Sequence, residues 1–238
     1  MSRKFYLKEL LFTSSSLSFI SKYDLKNHHV WDEKSTDMKN IKSELKTHYL
    51  LMQGKLCIYC RIDQVSDNHM VWDGEHILPK SLYPQFLFHT RNIALACKKC
   101  NRAKHFDDVL KENISRPVST YPLNSDAYII IHPHLDHYSQ HMKIEKLNKK
   151  YLYIPLSKKG KETYRLCNLK RFAISEALNI KDDHIIDGVV RLMLELQRKG
   201  ESKVLKGHTV EDIRLLASEL KNANSFVHTE VCTDFLVE

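Results

Sequence analysis

Two Cys-x-x-Cys steps, Cys57-Ile-Tyr-Cys60 and Cys97-Lys-Lys-Cys100, constrain this chain more than any other pattern in it. A two-residue gap lets one tight turn present two thiolates to one ion. Two such turns supply the four tetrahedral ligands that zinc takes. The rival reading is a redox Cys-x-x-Cys beside a chance second pair. The 36 residues between the pairs, 61–96, exceed the spacing of a simple zinc ribbon. Something is therefore inserted into the clasp. Cys167 and Cys232 stand apart from both pairs and read as small core hydrophobes.

The insert carries Gly74-Glu75-His76-Ile-Leu-Pro79 and Asn92, and Asn101 follows the second pair directly. A neutral imidazole can deprotonate water near pH 7. A carboxylate and an amide oxygen with open water positions suit Mg²⁺ or Mn²⁺ rather than zinc. Such a set matches the needs of phosphodiester hydrolysis: an activated water, charge neutralisation and help for the leaving oxygen. Glu75 and His76 are adjacent, so on a strand they point to opposite sides and converge only at its end. Asn101 is expected to face the Glu75 carboxylate, with Asp73 the competing ligand.

The surroundings set the class. The chain has 238 residues and a net charge of +8, a surplus that favours a polyanion such as nucleic acid. No apolar run approaches the ~20 residues of a spanning helix, so no membrane partner is expected. Lys8 and Glu9 interrupt the apolar start, which argues against a secretory leader and for the cytoplasm.

Met38, Ile41, Leu45, Tyr49 and Met52 form one apolar stripe, which predicts a helix over Thr36–Gln53. Ser35 or Thr36 would cap its start, and Gly54 its end. A hairpin is expected over 61–72, its second strand leading into Glu75-His76, and a loop over 78–90. Ile93 to Lys104 reads as the start of a helix. Strands are expected at 127–131, 143–147 and 151–155. Helices are expected at 158–167, continuing to 178, and at 183–199 and 209–222. His132, His134, His137 and His141 lie in a loop that could hold a second metal or line the cleft.

The ordered set Cys-x2-Cys, Glu75-His76-x-x-Pro79, Asn92 and Cys-x2-Cys-Asn101-x2-Lys104 resembles the HNH endonucleases, whose core is a ββα-metal finger. The nine-residue step from Asn92 to Asn101 also resembles the HNH domain of RNA-guided nucleases. The resemblance implies an α+β fold: a ββα-metal core with a four-cysteine zinc site, embedded in mainly helical flanks. The regions would be 1–54, helical; 55–115, the nuclease core; and 116–238, α+β and helical.

The same resemblance implies His76 as general base, Glu75 and Asn101 as ligands of a catalytic Mg²⁺ or Mn²⁺, and Asn92 as the brace of the base-orienting loop. The family often has Asp at the position of Glu75 and His at that of Asn101. Lys98, Lys99, Arg102 and Lys104 would meet phosphates of DNA. The rival function is a zinc-stabilised nucleic-acid-binding subunit, active only with a partner.

Farther on, Ile131-His-Pro-His-Leu-Asp136, His141, Gly160-Lys-Glu-Thr163 and Leu166-Cys-Asn-Leu169 resemble the Septu and retron-associated HNH effectors of bacterial anti-phage defence. That likeness implies a partner ATPase.

Overall fold

The computed structural model describes residues 7–63, 71–147 and 150–172. In chain order they form helices α1 (Ser14–Ile20) and α2 (Thr36–Gln53), strands β1 (Trp72–His76) and β2 (Ile93–Cys97), and helix α3 (Lys98–Lys104). Helix α4 (Tyr138–His141), strands β3 (Met142–Leu147) and β4 (Lys150–Pro155), and helix α5 (Lys158–Leu166) follow. The class is α+β, with two separate two-stranded sheets, β1-β2 and β3-β4. The chain divides into two compact units, residues 1–145 with 153–169, and residues 146–152 with 170–238. The site described below lies in the first.

Helix α2 forms where the stripe predicts it. The Ser35 hydroxyl accepts from the Met38 N–H, and Gly54 turns the chain off the helix at φ +58°. Only glycine takes that left-handed turn without strain. Met38, Ile41, Leu45 and Tyr49 are buried, but the stripe closes on Gln53 rather than Met52. The reason is a backbone clamp. Gln53 Oε1 accepts from Leu95 N at 2.7 Å, and Nε2 donates to Leu95 O at 2.8 Å and to Leu56 O at 2.9 Å. Gln53 thus stands where a third strand would pair with β2. Gln53→Ala leaves the buried Leu95 N–H without its acceptor, whereas Leu95 O keeps the Ile58 N–H. A loss of about 1–3 kcal/mol in urea unfolding is expected.

Strand β2 corrects the helix expected from Ile93. Residues 93–97 are strand and the helix starts at Lys98. All five strand residues are buried. A strand covered on both faces shows no polar alternation, so its apolar run resembles a buried helix. β2 pairs antiparallel with β1, from Trp72 opposite Cys97 to His76 opposite Ile93, and α3 follows without a loop. This is the ββα unit. β1 thus pairs with β2, from across the loop 77–92, while most of the hairpin expected over 61–72 falls on residues 64–70, outside the described residues.

The expected strands at 143–147 and 151–155 and the helix after Ser157 are present. Residues 127–131 make no strand. They cross the 109–111 segment through one bridge, Leu110 to Tyr128. The turn at 66–68, the segment from 173 to 178, the two helices expected beyond Asp183 and the role of Cys232 lie outside the described residues.

Candidate active site

The four cysteines meet. The first knuckle is closed by the bridge between Leu56 and Asp63 and by Arg61 N donating to Cys57 O at 2.8 Å. Tyr138 and Tyr153 hold its far side through their hydroxyls, bonded to Tyr59 O and Cys60 O. The second knuckle is the junction of β2 and α3. The four Sγ atoms are buried and lie within 4.8 Å of one another. None of these cysteines forms a disulfide.

A tetrahedron with Zn–S bonds of ~2.3 Å has edges of ~3.8 Å. Cys60 Sγ and Cys97 Sγ are 3.9 Å apart. Hydrogen bonds from Cys100, Cys57 and Cys60 hold the Cys97 thiol far below its ordinary range. Bonding to Cys57, Cys60 and Cys97 pushes Cys100 well above it. Four buried thiols therefore cannot ionise together without a cation, and this donor set fits a metal ion of the zinc type.

Glu75, His76 and Asn101 line a cleft of about 600 Å³ next to this clasp. His76 ends β1 and lines it. His76 Nε2 lies 3.0 Å from Leu87 O. A carbonyl only accepts, so Nε2 carries the proton and Nδ1 keeps the lone pair. Burial lowers the imidazole pKa to about 4, so the ring is neutral at pH 7. Trp31 stacks edge-on against it, with centroids 4.4 Å apart. Trp31 reaches that place because residue 74 is glycine: a Cβ there would stand 3.0 Å from the indole.

Asn92 is fully buried behind the loop 77–92. Its side chain accepts from Leu78 N at 2.7 Å and donates to Leu78 O and Phe86 O. It thereby fixes the loop whose Leu87 carbonyl holds His76. Asn92 touches no cleft atom and is a positioning residue.

The ligand candidates are paired differently from the sequence expectation. Asn101 Nδ2 donates to Asp73 Oδ2 at 2.8 Å, not to Glu75. Glu75 Oε1 receives the Tyr59 hydroxyl at 2.9 Å and pairs with Lys104 Nζ at 2.8 Å. The cause is periodicity. Asp73 and Glu75 are two apart on a strand and share one face; Asn101 and Lys104 are three apart on α3 and share the facing side. Each helical residue meets one carboxylate. Burial raises the Glu75 pKa, and the Lys104 charge opposes that shift.

Lys104 is therefore not a surface phosphate contact: it is fully buried and also donates to His76 O at 3.2 Å. Lys104→Met would leave a buried carboxylate unpaired and cost about 3–5 kcal/mol in denaturant unfolding. Lys98 and Lys99 are exposed outside the cleft lining, whereas Arg102 lines it.

The histidine loop serves neither expected role. His132 Nδ1 accepts from His134 N, and its Nε2 meets the Tyr121 hydroxyl at 2.8 Å. His134 Nε2 donates to Ile93 O at 2.9 Å, bracing β2. Asp136 accepts from His132 N at 2.7 Å and pairs with Lys159 at 2.8 Å; Thr163 Oγ1 accepts from Ile131 N. The 131–141 and 157–169 motifs thus form one buried network. None of its members lines the cleft.

Reading single residues missed Trp31, Tyr59 and Gln53. The two spacings on β1 and α3 were legible and could have paired Asp73 with Asn101.

Residues 57–107 match the family model described as HNH endonuclease. The HNH segment spans both cysteine pairs, β1, β2, α3 and every catalytic candidate. The chain is also similar to the Septu protein PtuB of Bacillus thuringiensis, 38% identical over 85 residues. That alignment covers 35% of this chain and 32% of the relative, so the chain spans about a third of the curated relative's length. No solved structure matches it. No helix among the described residues is long and apolar enough to cross a membrane.

Proposed function

We propose that this chain is a metal-dependent HNH endonuclease that hydrolyses DNA phosphodiester bonds. Residues 55–115 form the nuclease core, and 1–54 and 116–238 flank it. The observation that carries the reading is the pose of His76. Its Nε2–H is tied to Leu87 O, which leaves Nδ1 as the basic atom of a ring that lines the cleft with Asp73 and Asn101. His76 takes the proton of the attacking water. Asn101 and Asp73 would hold Mg²⁺ or Mn²⁺, with Glu75 as the further carboxylate, which Lys104 now pairs. When bound there, such an ion would supply charge neutralisation for the phosphorane-like transition state and help for the leaving 3′ oxygen. Cys57, Cys60, Cys97 and Cys100 hold a structural zinc.

The likeness to the Septu protein PtuB supports a place in bacterial anti-phage defence; the cytoplasm and a partner ATPase are the setting we propose for it. A second reading has its own observation. With Glu75 tied to Lys104 and Tyr59, the chain would be a zinc-stabilised nucleic-acid-binding subunit that cuts only when a partner frees the carboxylate.

Product ends test the chemistry. Cleaved DNA is expected to carry 5′ phosphates and 3′ hydroxyls that ligase reseals directly. Ends that need a phosphatase first would contradict attack with a 3′ oxygen leaving. Cleavage that appears only after the partner ATPase is added would select the second reading.

A further inference from the structure

The cleft has two walls whose groups take no part in the chemistry proposed above. On one side stands α2, whose Lys42 and Lys46 lie one turn apart and line the cleft with Asp73 and His76. Lys42 Nζ sits 5.3 Å from the Trp31 ring centroid, and Trp31 meets His76 edge-on. A phosphate held by Lys42 would thus lie beside the imidazole. Lys46 lines the same cleft as Asp73 and Asn101, the proposed ligand pair. Lys80 also lines the cleft, but Asp32 neutralises it at 2.5 Å.

On the other side is the end of α3. His105 leaves the helix at φ +53°, ψ −132°, a conformation that side-chain-bearing residues rarely adopt. That turn presents Phe106, 59% exposed, at the cleft, with the His105 ring 3.8 Å from its own. One exposed Phe is ordinary on a surface. Here it shares a cleft with cations and with the groups that would act on a phosphate.

We propose that this cleft binds a single DNA strand, with its phosphates on Lys42 and Lys46 and an unpaired base stacked on Phe106. This rests on the endonuclease reading and supplies its substrate class. In a duplex the base faces are covered by neighbouring bases. Only an unpaired strand offers one to an aromatic side chain, while the cations follow the backbone without reading sequence.

The test is binding by the full-length His76→Ala chain, which does not depend on cleavage. Fluorescence anisotropy compares a labelled single-stranded DNA, the same sequence as duplex, and the same sequence as RNA. Single-stranded DNA is expected to bind tightest. Phe106→Ala should weaken it roughly 5- to 150-fold. Lys42→Ala with Lys46→Ala should lower the salt slope of log affinity by about 1.4, two phosphates at ~0.7 each. Lys98→Ala with Lys99→Ala, outside the cleft, should leave the slope unchanged. Zinc content and thermal unfolding confirm that each variant is folded.

Tighter binding of duplex or RNA overturns the proposal. So does unchanged affinity in folded Phe106→Ala, or a slope lost through Lys98 and Lys99 instead. Failure of the endonuclease reading would look different: strand binding with these sensitivities, but no cleavage by the wild-type chain.

Discussion

His76→Asn is expected to lower DNA cleavage by about 10²–10⁴-fold, the usual contribution of a positioned general base. Asparagine keeps a donor for Leu87 O but has no lone pair basic enough to take a proton from water. The residual rate would come from the metal and from strand positioning. Burial puts the imidazole pKa at about 4, below the ordinary 6.5. The folded protein therefore keeps a neutral ring at every pH above about 4, and an acid loss of activity centred on 6.5 is not expected from His76. Single-turnover rates on plasmid DNA at several pH values check both statements. A full-rate His76→Asn enzyme would remove the residue from the chemistry.

Cys97→Ser should abolish cooperative folding of the core. Cys97 closes β2 and opens α3, so its thiolate anchors both at once. Structural zinc contributes about 10–16 kcal/mol in zinc-finger peptides. That rivals the whole stability of a typical domain, about 5–15 kcal/mol. Losing one of four thiolates therefore removes more than the fold has to spare. The purified variant should lack zinc and aggregate or unfold without a sharp transition. Cys167→Ser provides the contrast. Cys167 is buried but outside the cluster, so that variant should keep its zinc and unfold cooperatively. A soluble, metal-free Cys97→Ser protein with a cooperative transition would defeat the four-cysteine assignment.

What could be read from the sequence follows local rules. The cysteine pairs, the caps of α2 and its stripe as far as Tyr49, and the helix after Ser157 all depend on neighbours within a few residues, and they fold as written. Strand β2 was not legible, because burial on both faces removes the alternation that marks a strand. Gln53 was not legible either. Its value lies in bonds to Leu95, 42 residues away. Lys104 illustrates the same limit: a lysine beside the metal motif reads as a phosphate contact until the fold sets it against Glu75. The histidine loop reads as metal-like in isolation, yet the ring nitrogens of His132 and His134 are spent on Tyr121 and on backbone of Ile93, Leu7 and His134, and His141 meets Ser157 and Asp136. Of the catalytic candidates, Glu75, His76 and Asn101, close in the sequence, line one cleft in the fold. The pairing of Asp73 with Asn101 came from combining two periodicities.

Two metals with separate duties are the centre of this account. The most direct test is cleavage of supercoiled plasmid by the zinc-loaded wild-type chain, with Mg²⁺ or Mn²⁺ titrated in and zinc content measured in the same samples. The account predicts no nicking by the zinc form alone, nicking that saturates with Mg²⁺ or Mn²⁺, and one zinc per chain throughout. Nicking by the zinc form without added metal, or loss of the zinc as Mg²⁺ or Mn²⁺ restores activity, would contradict it.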